Sequence, residues 1–149
     1  MDVSKLLHWV GAITWLGGMT ALTFAARPAA LEFLEGSLRV QTLHGMLRRF
    51  FVLVWVSVAL LLLSGLHMWG VAAKAGAVAP AGWHVMAVIG VVMMLIFGHV
   101  YFVPFKRLGR AAAVGEWASC GVQLAVIHKL VVTNLVLGWI AVGAVKLLK

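Results

Sequence analysis

The sequence predicts an all-α integral membrane protein: a four-helix bundle with up-down-up-down topology, forming a single transmembrane domain over residues 1–149. Hydrophobic residues make up 64% of the chain and charged residues only 11%. A soluble domain of this size has too little interior to bury so much apolar surface. In addition, four long stretches are almost free of charge, and about twenty such residues cross a hydrocarbon core about 30 Å thick.

The first half of the chain predicts two of these helices. Residues 6–26 are uncharged and form the first helix, which Pro28 is expected to end. Residues 31–49 mix apolar and charged positions, so we expect a short interfacial segment there. It leads into the second helix, predicted over residues 46–70.

The second half predicts two more helices. A turn rich in Gly, Pro and Ala at residues 74–82 makes the second and third helices an antiparallel hairpin. The third helix is predicted over residues 83–105 and is followed by a basic loop at 106–116. The fourth helix is predicted over residues 120–147, with Lys129 as its interior charge.

The net charge of +8 would suggest nucleic acid as the partner of a soluble protein. Here the cations lie at helix ends, eight at one end of the bundle and four at the other. The eight are Arg27, Arg39, Arg48, Arg49, Lys106, Arg107, Arg110 and Lys129, and the four are Lys5, Lys74, Lys146 and Lys149. The positive-inside rule then places the two longer connections in the cytoplasm. We predict a multi-pass protein of the bacterial inner membrane with both termini in the periplasm, a lipid bilayer as its surroundings and no nucleic-acid partner.

Six histidines are many for so apolar a chain, and ionisable residues in membrane spans usually face a cavity or a cofactor. The predicted helix ends place three at each membrane face: His8, His67 and His84 on the outer side, and His44, His99 and His128 on the cytoplasmic side.

On the third helix, the spacing of His84 and His99 predicts side chains about 22 Å apart along the axis and about 60° apart in azimuth. One helix can therefore present a ligand to each of two hemes. On the first helix, Gly11 and Gly18 follow His8 at helical spacing. They either leave a slot for a porphyrin edge or allow close helix packing.

Methionines near histidines permit a copper site as an alternative. Met46 follows His44 by two residues and Met68 follows His67 directly, and imidazole with thioether suits Cu(I). The sequence has neither a Met-x-x-x-Met repeat nor a pair of cysteines, and methionine is also a common apolar filler.

Three stretches resemble the CopD and HemJ superfamily of small membrane proteins. "KLLHWVGAITWLGGM" (5–19) is similar to its first helix, "LRRFFVLVWVSVALLLLSGL" (47–66) to its second, and "WHVMAVIGVVMMLIFGHVYFVPFKRL" (83–108) to the third helix of HemJ. The resemblance implies either a b-heme oxidase of protoporphyrinogen or a role in copper handling, with His8 as an axial-ligand candidate. Met86 stands where HemJ has a lysine, which disfavours the oxidase.

Together, these patterns predict a membrane b-type cytochrome that transfers electrons between quinol and a redox partner. If the chain is an enzyme, it is a heme-dependent oxidoreductase. It would hold one or two b hemes with bis-histidine ligation, which leaves no open iron position and suits electron transfer. For two hemes, the ligands are His8, His67 and His84 on the outer side and His44, His99 and His128 on the inner side. A copper transport or resistance protein with His and Met ligands is the alternative, and a HemJ-like protoporphyrinogen oxidase is a further one. The sequence is compatible with a chain that acts alone, as a homo-oligomer or as a subunit of a larger complex.

Overall fold

A computed structural model describes residues 3–148, and these residues form four long helices with no strand. Each helix is long and apolar enough to cross a membrane: α1 (Val3–Phe33), α2 (Gly36–Lys74), α3 (Ala81–Ala113) and α4 (Trp117–Leu147). The predicted all-α, four-helix membrane architecture is confirmed, and the chain is a multi-pass membrane protein. Lys149, one of the cations counted above, lies outside the described residues.

The prediction that Pro28 ends the first helix is wrong, because α1 continues to Phe33. Residues Leu22–Ala26 form a π-helical turn, in which the backbone N–H of Arg27 donates to the carbonyl of Leu22. Pro28 then lies in the first turn of the helical segment that follows, where its missing N–H and its ring are tolerated.

A π-helical turn also extends α3 beyond its predicted end. Pro104 lies within a second π-helical turn, Tyr101–Phe105, and the helix continues to Ala113. The expected loop at 106–116 is therefore reduced to three residues, 114–116. Gly115, whose φ of 74° suits only glycine well, makes this turn.

The segment at 31–49, expected to be interfacial, is helical, with a break at 34–35 only. Arg39 stabilises this break, since its guanidinium donates to the carbonyls of Leu34 (2.7 Å) and Leu31 (3.1 Å) at the end of α1. These carbonyls have no partner within the helix. We call the end of the bundle with the 34–35 and 114–116 connections the basic end.

The helices pack mainly as two pairs, α1 with α2 and α3 with α4. Glycines on α1 make the first contact close: a Cβ on Gly11 would lie 3.1 Å from the Ser57 carbonyl and 3.1 Å from Leu61, and one on Gly18 would overlap the Phe50 ring. Of the two interpretations of these glycines, close helix packing is therefore confirmed. No slot for a porphyrin edge lies between α1 and α2 at these positions.

We expect Gly18→Ala to lower the free energy of unfolding by about 1–3 kcal/mol, since the new methyl group meets the Phe50 ring. The double variant Gly18→Ala/Phe50→Leu should recover part of this loss. Gly17→Ala is the matched control, because a Cβ there meets nothing within 4 Å. Thermal unfolding in detergent measures all three, and equal stability of Gly17→Ala and Gly18→Ala would contradict the packing.

Aromatic rings fill the space between α2 and α3 near the basic end. The Phe51 ring of α2, 1% exposed, lies 5.5 Å from Phe97 and 4.9 Å from Phe105 of α3. One turn further along α2, Trp55 contacts Phe97 at 5.1 Å and Tyr101 at 5.6 Å, both nearly edge to face. Edge-to-face pairs of this kind add to the stability that burial provides, and they separate the two backbones by the width of the rings.

Candidate functional site

Two histidines and two serines face each other across the α1–α2 interface, at the end of the bundle opposite the basic end. The Oγ atom of Ser4 lies 2.7 Å from Nδ1 of His67, and Nδ1 of His8 lies 3.0 Å from Oγ of Ser64. Ser4 and His8 are four residues apart on α1, and Ser64 and His67 are three apart on α2, so each pair shares one helix face. We call these four residues the serine–histidine cluster.

The hydrogen bonds of Ser64 determine which ring nitrogen of His8 holds the proton. The Ser64 hydroxyl donates its one proton to the carbonyl of Leu60, which can only accept. Ser64 Oγ must therefore accept from His8, whose Nδ1 is the protonated nitrogen. In the neutral imidazole, Nε2 then has the lone pair that can bind a metal ion.

Burial differs across the cluster. Ser64 is 4% exposed and His8 is half-buried, whereas His67 is exposed at the bundle surface. His8 is thus held in place on its buried side by Ser64, and His67 is reachable from outside the bundle. Two imidazoles on facing helices, each in contact with a serine through Nδ1, form a candidate copper-binding pair, since imidazole is a common copper ligand.

His84 lies at the same end of the bundle but is bound differently. Its Nδ1 is 3.3 Å from the carbonyl of Pro80, one turn earlier, and its ring meets Trp69 edge to face at 5.2 Å. Because the carbonyl can only accept, Nδ1 of His84 is also the protonated nitrogen. His84 is exposed and contacts α2 through Trp69.

The three histidines predicted for the cytoplasmic side have separate surroundings near the basic end. The His44 ring of α2 lies 5.2 Å from the Phe105 ring of α3, tilted by 50°. His128 lines a cleft shared with Arg27 of α1, and His99 is exposed. Within residues 3–148, no group of three or more His, Cys, Asp or Glu side chains could hold a metal ion. The assignment of the six histidines to two hemes stays a prediction.

Neither Ser4 nor Ser64 was predicted to belong to the site. The pattern that could have found them is a serine one helical turn before a histidine, present in Ser4–His8 and again in Ser64–His67. On antiparallel helices, two such pairs can form crossed hydrogen bonds, in which each serine contacts the histidine of the other helix.

Comparisons with known proteins add one match. A family model described as Copper resistance protein D, CopD, matches residues 44–148. The matched region includes His67 and Ser64 of the cluster, whereas Ser4 and His8 precede it. No curated protein and no solved structure matches the chain.

Proposed function

The chain belongs to the copper resistance protein D family, and on that premise we propose that it binds copper through His8 and His67, as part of copper handling in the membrane. The observation that supports this best is the pair of crossed contacts, Ser4 with His67 and Ser64 with His8. The copper ion would be the cargo of this membrane protein. His67 lies within the matched region, and the role of His8 rests on its contacts.

The chemistry of the cluster fits copper. Imidazole nitrogen binds copper well, and metal-ligating histidines usually donate their other ring N–H to a fixed oxygen, which sets the tautomer and the ring orientation. His8 meets this description, since Nδ1–H donates to Ser64 and Nε2 has the lone pair. His67 also has a serine oxygen at Nδ1, Ser4 Oγ at 2.7 Å, and its Nε2 can bind copper in the tautomer in which Nδ1–H donates to that oxygen.

The packing gives less support to the heme protein predicted from the sequence. The slot expected beside Gly11 and Gly18 is filled by Leu61 and Phe50 of α2, so a porphyrin edge does not fit there without separating α1 from α2. Four points stay predictions: the b-type cytochrome with quinol and a redox protein as partners, the HemJ-like oxidase, the oligomeric state, and the orientation in the inner membrane.

The test is metal content of the full chain purified in detergent, together with its visible spectrum. After exposure to Cu(I) and removal of excess, we expect one copper per chain and no b-heme absorption bands in the reduced-minus-oxidised spectrum. Competition with a Cu(I) chelator gives the affinity. A protein that holds b heme and no chelator-resistant copper would contradict the proposal and favour the cytochrome.

Ser64→Ala is expected to weaken copper binding about tenfold or more, because the oxygen that orients the His8 ring is lost. Ser57→Ala is the matched control: it removes a buried serine hydroxyl two turns earlier on α2 and leaves the cluster intact. Chelator competition measures both variants. Equal affinity in the two would mean that Ser64 does not position a ligand.

A further inference from the structure

A partly open cleft lies between α1, α2 and α4, close to the basic end, and it is separate from the serine–histidine cluster. Its volume is about 40 Å³. Most of the lining is leucine, isoleucine and valine, including Leu43 of α2 and Leu124 of α4. Three polar side chains also line it: Thr23 and Arg27 from α1 and His128 from α4.

Thr23 differs from the other threonines of the described helices because its hydroxyl is both buried and without a hydrogen-bond partner. Thr20 and Thr133 donate to the carbonyl four residues earlier, at 2.8 Å and 2.9 Å. Thr23 lies in the π-helical turn Leu22–Ala26, and its Oγ1 atom is buried with no hydrogen bond among the described residues. A buried hydroxyl without a partner is destabilising, so a ligand that accepts its proton would recover that free energy.

The charge at the cleft favours an anion. Arg27 is a permanent cation, and no contact among residues 3–148 pairs it with a carboxylate. His128 provides at least one ring N–H in either tautomer. Arg27 beside His128 opposes a copper ion at this position, although His128 was a candidate ligand in the sequence. All three polar groups that line the cleft are hydrogen-bond donors, which suits an oxyanion.

We propose that this cleft binds the phosphate of an anionic membrane phospholipid, with Arg27, Thr23 and His128 as donors and an acyl chain against the leucine-rich walls. The apolar lining fits a lipid better than a free anion, since a site for inorganic phosphate alone would not need leucines around it. The level of the site agrees, because Arg27 lies near the end of α1, where cations flank the membrane spans. Arginine forms paired hydrogen bonds with phosphate oxygens, which makes it the principal donor.

The test is thermal stabilisation of the full chain in detergent, titrated with three probes. Phosphatidylglycerol contains both parts of the ligand, diacylglycerol with the same acyl chains lacks the phosphate, and inorganic phosphate lacks the chains. We expect saturable stabilisation by phosphatidylglycerol alone. Equal stabilisation by diacylglycerol would overturn the phosphate site, and stabilisation by inorganic phosphate at equal concentration would mean that the site takes a free anion.

Variants locate the binding. Arg27→Gln and the isosteric Thr23→Val should each weaken phosphatidylglycerol binding, Arg27→Gln by about tenfold or more. Arg110→Gln removes an exposed cation near the same end of the bundle, on α3, and should bind as the native chain does. Both cleft variants are expected to fold, because neither side chain has a hydrogen-bond partner to lose. Unchanged binding in both would overturn the proposal. Copper content serves as an independent measurement, and we expect it to be unaffected.

Discussion

Replacement of His8 by alanine is expected to remove stoichiometric copper from the protein. His8 is the better positioned of the two proposed ligands, because Ser64 holds its Nδ1–H and leaves the lone pair on Nε2. With one of two imidazoles gone, the loss of affinity should exceed the roughly tenfold loss expected for Ser64→Ala. The fold should tolerate the change, since the Ser64 hydroxyl still donates to Leu60.

The matched control is His99→Ala. His99 is exposed on α3 and makes no contact with the serine–histidine cluster, so this variant should keep its copper. The same two variants separate copper from heme: under the cytochrome prediction, His99→Ala should lose a heme band. If His8→Ala keeps one copper per chain with native affinity, the copper site lies elsewhere in the chain.

Gly82→Ala is expected to have the largest effect on stability, about 3 kcal/mol in the free energy of unfolding. Gly82, the second residue of α3, lies directly against the C-terminal end of α4, and its N–H donates to the Leu148 carbonyl at 3.2 Å. A Cβ there would lie 2.6 Å from the Ala144 carbonyl oxygen and 2.7 Å from that of Leu148. These are backbone atoms, so they can move only if α3 and α4 separate.

Gly90→Ala on the same helix is the control, because a Cβ at Gly90 meets nothing within 4 Å. It should be as stable as the native chain or slightly more stable, since alanine has the higher helix propensity. Thermal or denaturant unfolding in detergent compares the two. Similar stabilities would mean that α3 and α4 do not pack as closely at Gly82 as described.

The helical spans could be predicted from the sequence because length and hydropathy decide them, and the bilayer leaves few alternatives to a helix. Their ends could not. Pro28 predicts a helix end by local rules, yet the π-helical turn at Leu22–Ala26 lets α1 continue. Such a turn depends on packing against the neighbouring helices, which local sequence patterns do not contain.

The candidate site was predicted in part. His8 and His67 were placed at the same end of the bundle from their positions in the helices, and their shared interface agrees with that. The serines were missed because serine is common in membrane helices and has no distinctive pattern until its partner on the facing helix is known. The family match supports copper, the alternative in the sequence analysis, over the cytochrome.

The π-helical turn of α1 also affects how the cleft at Arg27 is oriented relative to the serine–histidine cluster. A turn of this kind contains one residue more than an α-helix needs, so every side chain after Ala26 is rotated by about 100° from its uninterrupted azimuth. The directions of the His8 and Arg27 side chains around the axis of α1 therefore differ by this additional rotation. In a related chain without the extra residue, the histidine would still face α2, whereas the arginine would point away from α4. One inserted residue is therefore enough to acquire or lose the cleft's principal donor.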